Sequence, residues 1–201
     1  LAPEVAASLQ ATFTAHRVEK GYLAVVRGIG PPQERLDYPL REDDGRRPKA
    51  EMPAREAVTE VRRIDSVELP VQVDRYPQSR YSLMEARPQT GRRHQIRRHL
   101  SRRGYPIIGD AKHGKGNHNR FFAEQLECPR LLLAAVGLAF AHPVSGERLD
   151  LCCPLDACMT MLFERFGWSG HLPTLPRHLH YPSVMPRPIP LPSRPPPPLP
   201  R

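Results

Sequence analysis

Residues 87–110 read R-P-Q-T-G-R-R-H-Q-I-R-R-H-L-S-R-R-G-Y-P-I-I-G-D, running from Arg87 to Asp110. Seven arginines fall between Arg87 and Arg103, and no acid intervenes before Asp110. A solvated helix ordinarily interleaves glutamate with arginine one turn apart, because opposite charges at that spacing stabilise it. This stretch instead repels itself, so an anion is expected against it. Thr90-Gly91 suits a helix start and Gly104 a C′ residue, which predicts a helix over 92–103. Ile96 and Leu100 lie one turn apart and mark its buried stripe. At about 100° per residue, Arg93 and Arg97 fall on the flank of that stripe, while Arg98 and Arg102 point away. Arg97 is therefore expected to be half-buried. An unpartnered buried guanidinium costs about 3–5 kcal/mol, so Arg97 needs a carboxylate or phosphate beside it. A structural ion pair would meet that need as well as a functional one.

The whole chain carries the same bias. Thirty basic against 21 acidic side chains in 201 residues, with a pI near 9.9, favour a polyanionic partner. The length fits one domain plus a tail. No apolar run is long enough for a membrane span and no signal segment opens the sequence, so a cytoplasmic, monomeric protein is the expectation. The first residue is leucine, as in a processed or truncated chain. Cys128, Cys152, Cys153 and Cys158 show neither a disulfide framework nor a zinc spacing, and Cys152-Cys153 read as small hydrophobes in a strand. His113 and His118 lack a matching cysteine pair, and no metal site is expected.

Either side of the arginine stretch, periodicity outlines an α+β chain. Pro3 suits a first helical turn, and Val5, Leu9 and Phe13 recur at one-turn spacing in a helix expected to end near Lys20-Gly21. Tyr22-Leu23-Ala24-Val25-Val26 reads as a buried strand closed by Gly28. Residues 30–56 read as a loop or hairpin excursion. Residues 57–64 and 80–86 alternate like half-buried strands, with a turn at 74–78. Residues 111–120, basic and broken by glycine, read as an RNA-facing or merely flexible loop ahead of a short helix at 121–126. Strands at 131–140 and 147–153 pair through 142–146, and a last helix covers 155–166. Twelve of the 25 prolines fall in the last 31 residues, with four arginines and no acid. Residues 174–201 are therefore expected to be a disordered, partly polyproline-II tail, in which Arg194, Pro197 and Pro200 match an SH3-ligand pattern.

Thr90-Gly91-Arg92-Arg93-His94-Gln95-Ile96-Arg97-Arg98-His99-Leu100, followed by Gly104-Tyr105-Pro106-Ile107-Ile108-Gly109-Asp110, resembles a signature of the RluA-type pseudouridine synthases. Lys20-Gly21-Tyr22 with Ala24, Val26 and Gly28 resembles their K-x-Y-x-A-x-V-x-G segment, and Arg130-Leu131-Leu132-Leu133 with His142-Pro143 and Gly146 their C-terminal region. The 112–120 loop and Phe166-Gly167-Trp168-Ser169-Gly170-His171-Leu172-Pro173 look most like the tRNA pseudouridine synthase C branch, which modifies a uridine in the T-stem of tRNA. The resemblance covers residues 1–173. It implies an isomerase that flips a uridine from its stack, breaks its glycosidic bond and rejoins the base through C5, without cofactor. It implies a mixed, largely antiparallel sheet flanked by helices. It places Tyr22 against the target base and gives Arg97 the catalytic aspartate as partner. Arg92, Arg93, His94, Arg98, Arg102, Arg103, Lys112 and Lys115 are then the expected RNA contacts, with tRNA the expected partner.

One element of the resemblance is missing. The family's aspartate lies in H-R-L-D-x-x-T-S-G, and neither Arg35-Leu36-Asp37 nor Arg148-Leu149-Asp150 continues in that way. In the family the motif directly precedes a segment like Leu1-Ala2-Pro3-Glu4-Val5. The expectation is that the aspartate and the first strands lie upstream of Leu1, that Arg97 stands here without its partner, that apolar sheet surface is exposed, and that the chain alone is inactive and marginally stable. The alternative is a non-catalytic RNA-binding protein on the same scaffold.

Overall fold

The computed structural model of the protein describes residues 3–41 and 52–171. The expected proline-rich tail, with its SH3-ligand pattern, lies outside the described residues. Strand β1 (Glu19–Arg27) is the axis of the domain. Its Ala24, Val25 and Val26 are all fully buried, which is why the run shows no polar alternation: both faces are covered. Around it β2 (Gln33–Asp37), β5 (Val58–Leu69), β6 (Ser79–Pro88), β7 (Leu133–Ala141) and β8 (Arg148–Cys152) build a six-stranded sheet in the order β2-β5-β6-β1-β7-β8. Every neighbouring pair runs antiparallel. Two short strands, β3 (Leu40–Arg41) and β4 (Ala54–Arg55), pair separately within the expected excursion, and β2 within that same excursion extends the main sheet.

Each face of β1 feeds its own core. On one face Ala24 and Val26 pack with Met84 and Ala86 beneath Ile96 and Leu100 of helix α2 (Gln95–Arg102). On the other, Leu23 and Val25 join Tyr81 and Leu83 beneath Phe121 and Phe122 of α3 (Gly116–Gln125) and Met159, Leu162 and Phe163 of α4 (Ala157–Phe166). Asp156 caps α4 by accepting from the Met159 N–H at 2.9 Å, and Gly167, at φ 74°, closes it in the left-handed conformation that glycine tolerates best. The second core is closed by Trp168, which is 1% exposed.

Several expectations need correction. Helix α1 (Pro3–Thr14) stops short of Lys20: His16 takes φ 56°, and Glu19 and Lys20 already pair with Ala139 and Leu138 of β7. Sheet hydrogen bonds thus override the apolar helical period. Nor does α1 bury its stripe, since Phe13 is 43% exposed and no residue of the helix is buried. Helix α2 begins at Gln95 rather than at residue 92, because His94 sits at φ 55°, ψ 29°. Residues 116–120 are the first turns of α3, not loop, since burying Phe121 and Phe122 requires a helix long enough to form. Cys128 and Cys158 form a disulfide with Cα atoms 5.5 Å apart, within ordinary reach, although they lie 30 residues apart with no sequence pattern to pair them. Cys153, expected to be buried, is exposed.

Candidate active site

The expected site residues Tyr22 and Arg97 come from elements that meet over the α2 face of the sheet. Together with Lys20, Thr90, Arg92, His94 and Leu133 they line an open cleft of about 260 Å³. Lys20 and Tyr22 share one face of β1 by the strand's two-residue period, a signal that could have found Lys20 from its neighbour. Lys20 donates to the Thr90 carbonyl at 3.1 Å, and burial draws its pKa below the usual lysine value. No described residue lining the cleft is acidic.

The rim that carries Arg92 is held by a side chain that an apolar-stripe reading passes over. Gln95 is 4% exposed. Its Oε1 accepts from the Thr90 hydroxyl at 2.7 Å and from the Arg92 N–H at 3.0 Å, while its Nε2 donates to the Val58 carbonyl and to Thr59 Oγ1. One amide therefore ties the turn before α2 to β5. One turn on, buried His99 donates from Nε2 to the Tyr38 carbonyl at 3.1 Å. Its Nδ1 is then the acceptor for the Thr59 hydroxyl at 3.0 Å. Burial keeps that imidazole neutral, with its pKa below the ordinary value.

Arg97 does not stand alone. Its Nε donates to Asp110 Oδ2 and its Nη2 to Asp110 Oδ1, both at 2.7 Å. This corrects only the expectation that Arg97 stands without an anion, since Asp110 lacks the H-R-L-D-x-x-T-S-G setting of the family's aspartate: the pair closes between α2 and the turn after Gly109. The half-burial read from the helix period is met, with the side chain 18% exposed. Asp110 also accepts from the Lys112 and His113 N–H groups at 2.9 Å. Burial alone would raise its pKa, but the Arg97 and backbone hydrogen bonds outweigh that and lower it to about 2. The turn brings His113 edge-on to His94, their ring centroids 5.8 Å apart. Burial, then Arg97 and Arg93, lower the His94 pKa.

The remaining basic residues divide into those on the cleft and those engaged elsewhere. Arg92 lines the cleft while its Nε donates to the Glu56 carbonyl at 2.9 Å. Arg93, Lys112 and Lys115 are exposed, and Arg98 is half-buried. Arg102 stacks over Tyr38 at 4.8 Å, and Arg103 pairs with Glu34 at 2.7 Å, so parts of the arginine stretch are balanced from within. Asp37 lies on β2 and Asp150 on β8, neither in the cleft. Among the described residues no group of His, Cys, Asp or Glu is placed to hold a metal ion, and no helix is long and apolar enough to cross a membrane.

Comparison with known proteins fits this architecture. Residues 2–102 match the RNA pseudouridylate synthase family. A tRNA pseudouridine synthase C from Vibrio parahaemolyticus is 39% identical over 176 residues, covering 86% of this chain and 72% of the relative. The chain belongs to the RNA pseudouridylate synthase family. A second relative of this pseudouridylate synthase chain, the tRNA pseudouridine synthase C of Pectobacterium carotovorum, is 45% identical over 180 residues. That match covers 86% of this chain and spans 47% of the relative's length. Among solved structures, human RNA Pseudouridylate Synthase Domain Containing 1 superposes with a TM-score of 0.58 at 25% identity, covering 79% of this chain and 65% of that one. Human RNA Pseudouridylate Synthase Domain Containing 4 gives the same score and identity over 82% and 68%.

Proposed function

We propose that this chain is the larger part of a tRNA pseudouridine synthase, acting as a monomer in the cytoplasm on a T-stem uridine. The observation that carries the reading is the cleft itself: a phenol, Tyr22, and three cations, Lys20, Arg92 and Arg97, converge there. Such a pocket can accept a base that has left its stack, with the phenol against the ring and the cations toward phosphate and the developing negative charge on the detached base. The nucleophilic carboxylate that must break the glycosidic bond is not among the described residues lining the cleft, so turnover requires one to be brought there. Asp110 occupies Nε and Nη2 of Arg97 and leaves Nη1 to meet and orient that carboxylate. Arg93, His94, Arg98, Arg102, Arg103, Lys112 and Lys115 act as the surrounding RNA contacts, and no cofactor takes part.

A non-catalytic RNA-binding role on the same scaffold is the second reading, favoured by the absence of an acid among the described residues lining the cleft. Release of tritium from 5-tritiated tRNA separates the two. Residues 1–201 alone should release none. Fused to the upstream segment of a synthase C relative, they should turn over, and Arg97→Ala should abolish turnover while preserving most tRNA affinity. Equal loss in Arg98→Ala would contradict the assignment of Arg97. A fusion that binds tRNA but never releases tritium would leave the second reading standing.

A further inference from the structure

At the other end of β1 lies a second cavity of about 320 Å³ that the proposed chemistry does not use. Arg27 and Tyr22 are five residues apart, about 17 Å along a strand, and point to opposite sides. Arg27 donates from Nε to His118 Nε2 at 3.1 Å. Arginine can only donate, so His118 Nε2 carries a lone pair, the proton sits on Nδ1, and Nδ1 donates to the Tyr81 hydroxyl at 2.9 Å. Tyr81 and His118 are 0% and 4% exposed. A neutral, buried relay therefore clamps one corner of the guanidinium, on a side chain that is itself 28% exposed. Arg27 and Asp74 both line the cavity, and the Asp74 carboxylate, 45% exposed, stands 3.9 Å from Nη2. Arg80 lines the same cavity, with its Nε held by Glu68. Ile29 and Tyr76, 39% and 53% exposed, supply its apolar wall.

A planar cation pre-oriented by a group that cannot neutralise it is what bidentate recognition of a phosphate requires. His118 also satisfies the buried Tyr81 hydroxyl, so it serves the core as well as fixing the plane of the Arg27 guanidinium. Asp74 is a poor partner at that distance, and an exposed pair of this kind is easily exchanged for a better acceptor. Beside the cation stands the half-exposed Tyr76, with the Arg75 guanidinium over one face of its ring at 4.7 Å, so an aromatic ring and a further cation flank the site. We propose that this cavity binds a phosphate ester, and that its ligand is a backbone phosphate of the RNA, several nucleotides from the base held in the cleft. The RNA assignment rests on the function proposed above, while the phosphate site rests on the Arg27 geometry alone.

The test follows the Arg27 Nε–H resonance of the whole chain by NMR while inorganic phosphate, and then a short RNA hairpin, is added. Phosphate should shift that resonance, and Asp74→Asn should tighten phosphate binding about fivefold by removing the competing charge. The hairpin should displace phosphate. Arg27→Gln should weaken hairpin binding about tenfold and lower the slope of log affinity against log salt by about 0.7–0.9. Arg27→Lys, which keeps the charge without the fork, should restore the slope but not the full affinity, with folding of each variant checked by circular dichroism. An Arg27 resonance indifferent to phosphate, with Asp74→Asn without effect, overturns the site. Phosphate binding that the hairpin neither displaces nor senses in its salt slope overturns the RNA assignment in favour of a free phosphate ester. Tritium release by the completed enzyme is scored separately, so failure of turnover with the slope change intact defeats the catalytic reading and not this one.

Discussion

Arg97 and Asp110 meet in a two-bond fork at 2.7 Å, and the carboxylate that completes the pair is 0% exposed. The same carboxylate caps the Lys112 and His113 N–H groups. Helix α2 and the turn after Gly109 are thus fastened beside the cleft, and Ser101 of α2 adds a further tie by donating to the His113 carbonyl at 2.8 Å.

Removing one partner of such a pair strands the other. Asp110→Ala should destabilise the protein by about 3–5 kcal/mol, because Arg97 is left charged and half-buried. Asp110→Asn retains an acceptor for the backbone and should cost visibly less. Urea denaturation of both variants checks this, and equal stability of Asp110→Ala and the parent would contradict the role given to the pair. The sign of the acid response is also fixed. The carboxyl pKa falls from 3.8 to about 2 on folding, so its contribution of about 2 kcal/mol is complete above pH 3.8 and is lost as the pH falls through 2.

Gln95 is the second fastening. Its amide makes four hydrogen bonds in a buried setting, and Gln95→Ala leaves the Thr90 hydroxyl proton and the Arg92 N–H without their acceptor, while the Val58 carbonyl keeps the Gln89 N–H. A loss of about 2–4 kcal/mol is expected, at about 1–3 kcal/mol for each orphaned buried group. Because the Arg92 N–H is released too, the cleft rim should loosen, read as faster amide exchange at residues 90–94. Unchanged exchange there would show that the turn is held by something else.

What the sequence disclosed, and what it hid, follows from which forces leave a pattern. The stripe of Ile96 and Leu100 and the half-burial of Arg97 were legible because apolar burial has a helical period. Gln95 and His99 were not, since they are buried through hydrogen bonds to β5 and to the Tyr38 carbonyl, which carry no period. The family resemblance singled out Tyr22 and Arg97, which share one cleft, but the ion pair between Arg97 and Asp110, 13 residues on, leaves no mark in the sequence pattern. The over-long first helix has the same origin: Val5, Leu9 and Phe13 keep their period, but the pairing of Glu19 with Ala139 decides where the strand begins.

Gly109 and Gly104 separate steric need from conformational need. Both have positive φ, 77° and 94°. A Cβ at Gly109 would run into the Arg130 carbonyl, whereas one at Gly104 would meet open space. Gly104→Ala should therefore cost only the left-handed strain, about 1 kcal/mol. Gly109→Ala must also displace backbone and should cost several times more. Melting temperatures of the two variants decide it, and similar values would mean that the segment before Leu131 yields easily.

Burial of His118, with Arg27 beside it, lowers its pKa from 6.5 to about 4, against a smaller opposing pull from Asp74 and a further push from Lys115. Below pH 6.5 the unfolded chain takes up a proton that the folded imidazole refuses, so the unfolded state binds more protons and stability falls with pH. The loss should reach about 2 kcal/mol at pH 5 and level off near pH 4, where the folded histidine also protonates. His94, His99 and His113 are shifted in the same direction, so the whole-protein slope is not the diagnostic quantity. The difference from His118→Gln is, because glutamine can still accept from Arg27 and donate to Tyr81 but does not titrate. Urea denaturation at pH 7 and pH 5 should show the variant losing less than the parent, by about 2 kcal/mol. If both lose the same amount, His118 is already open to water and protons in the folded state, and the buried relay from Arg27 to Tyr81 is not the arrangement that persists in solution.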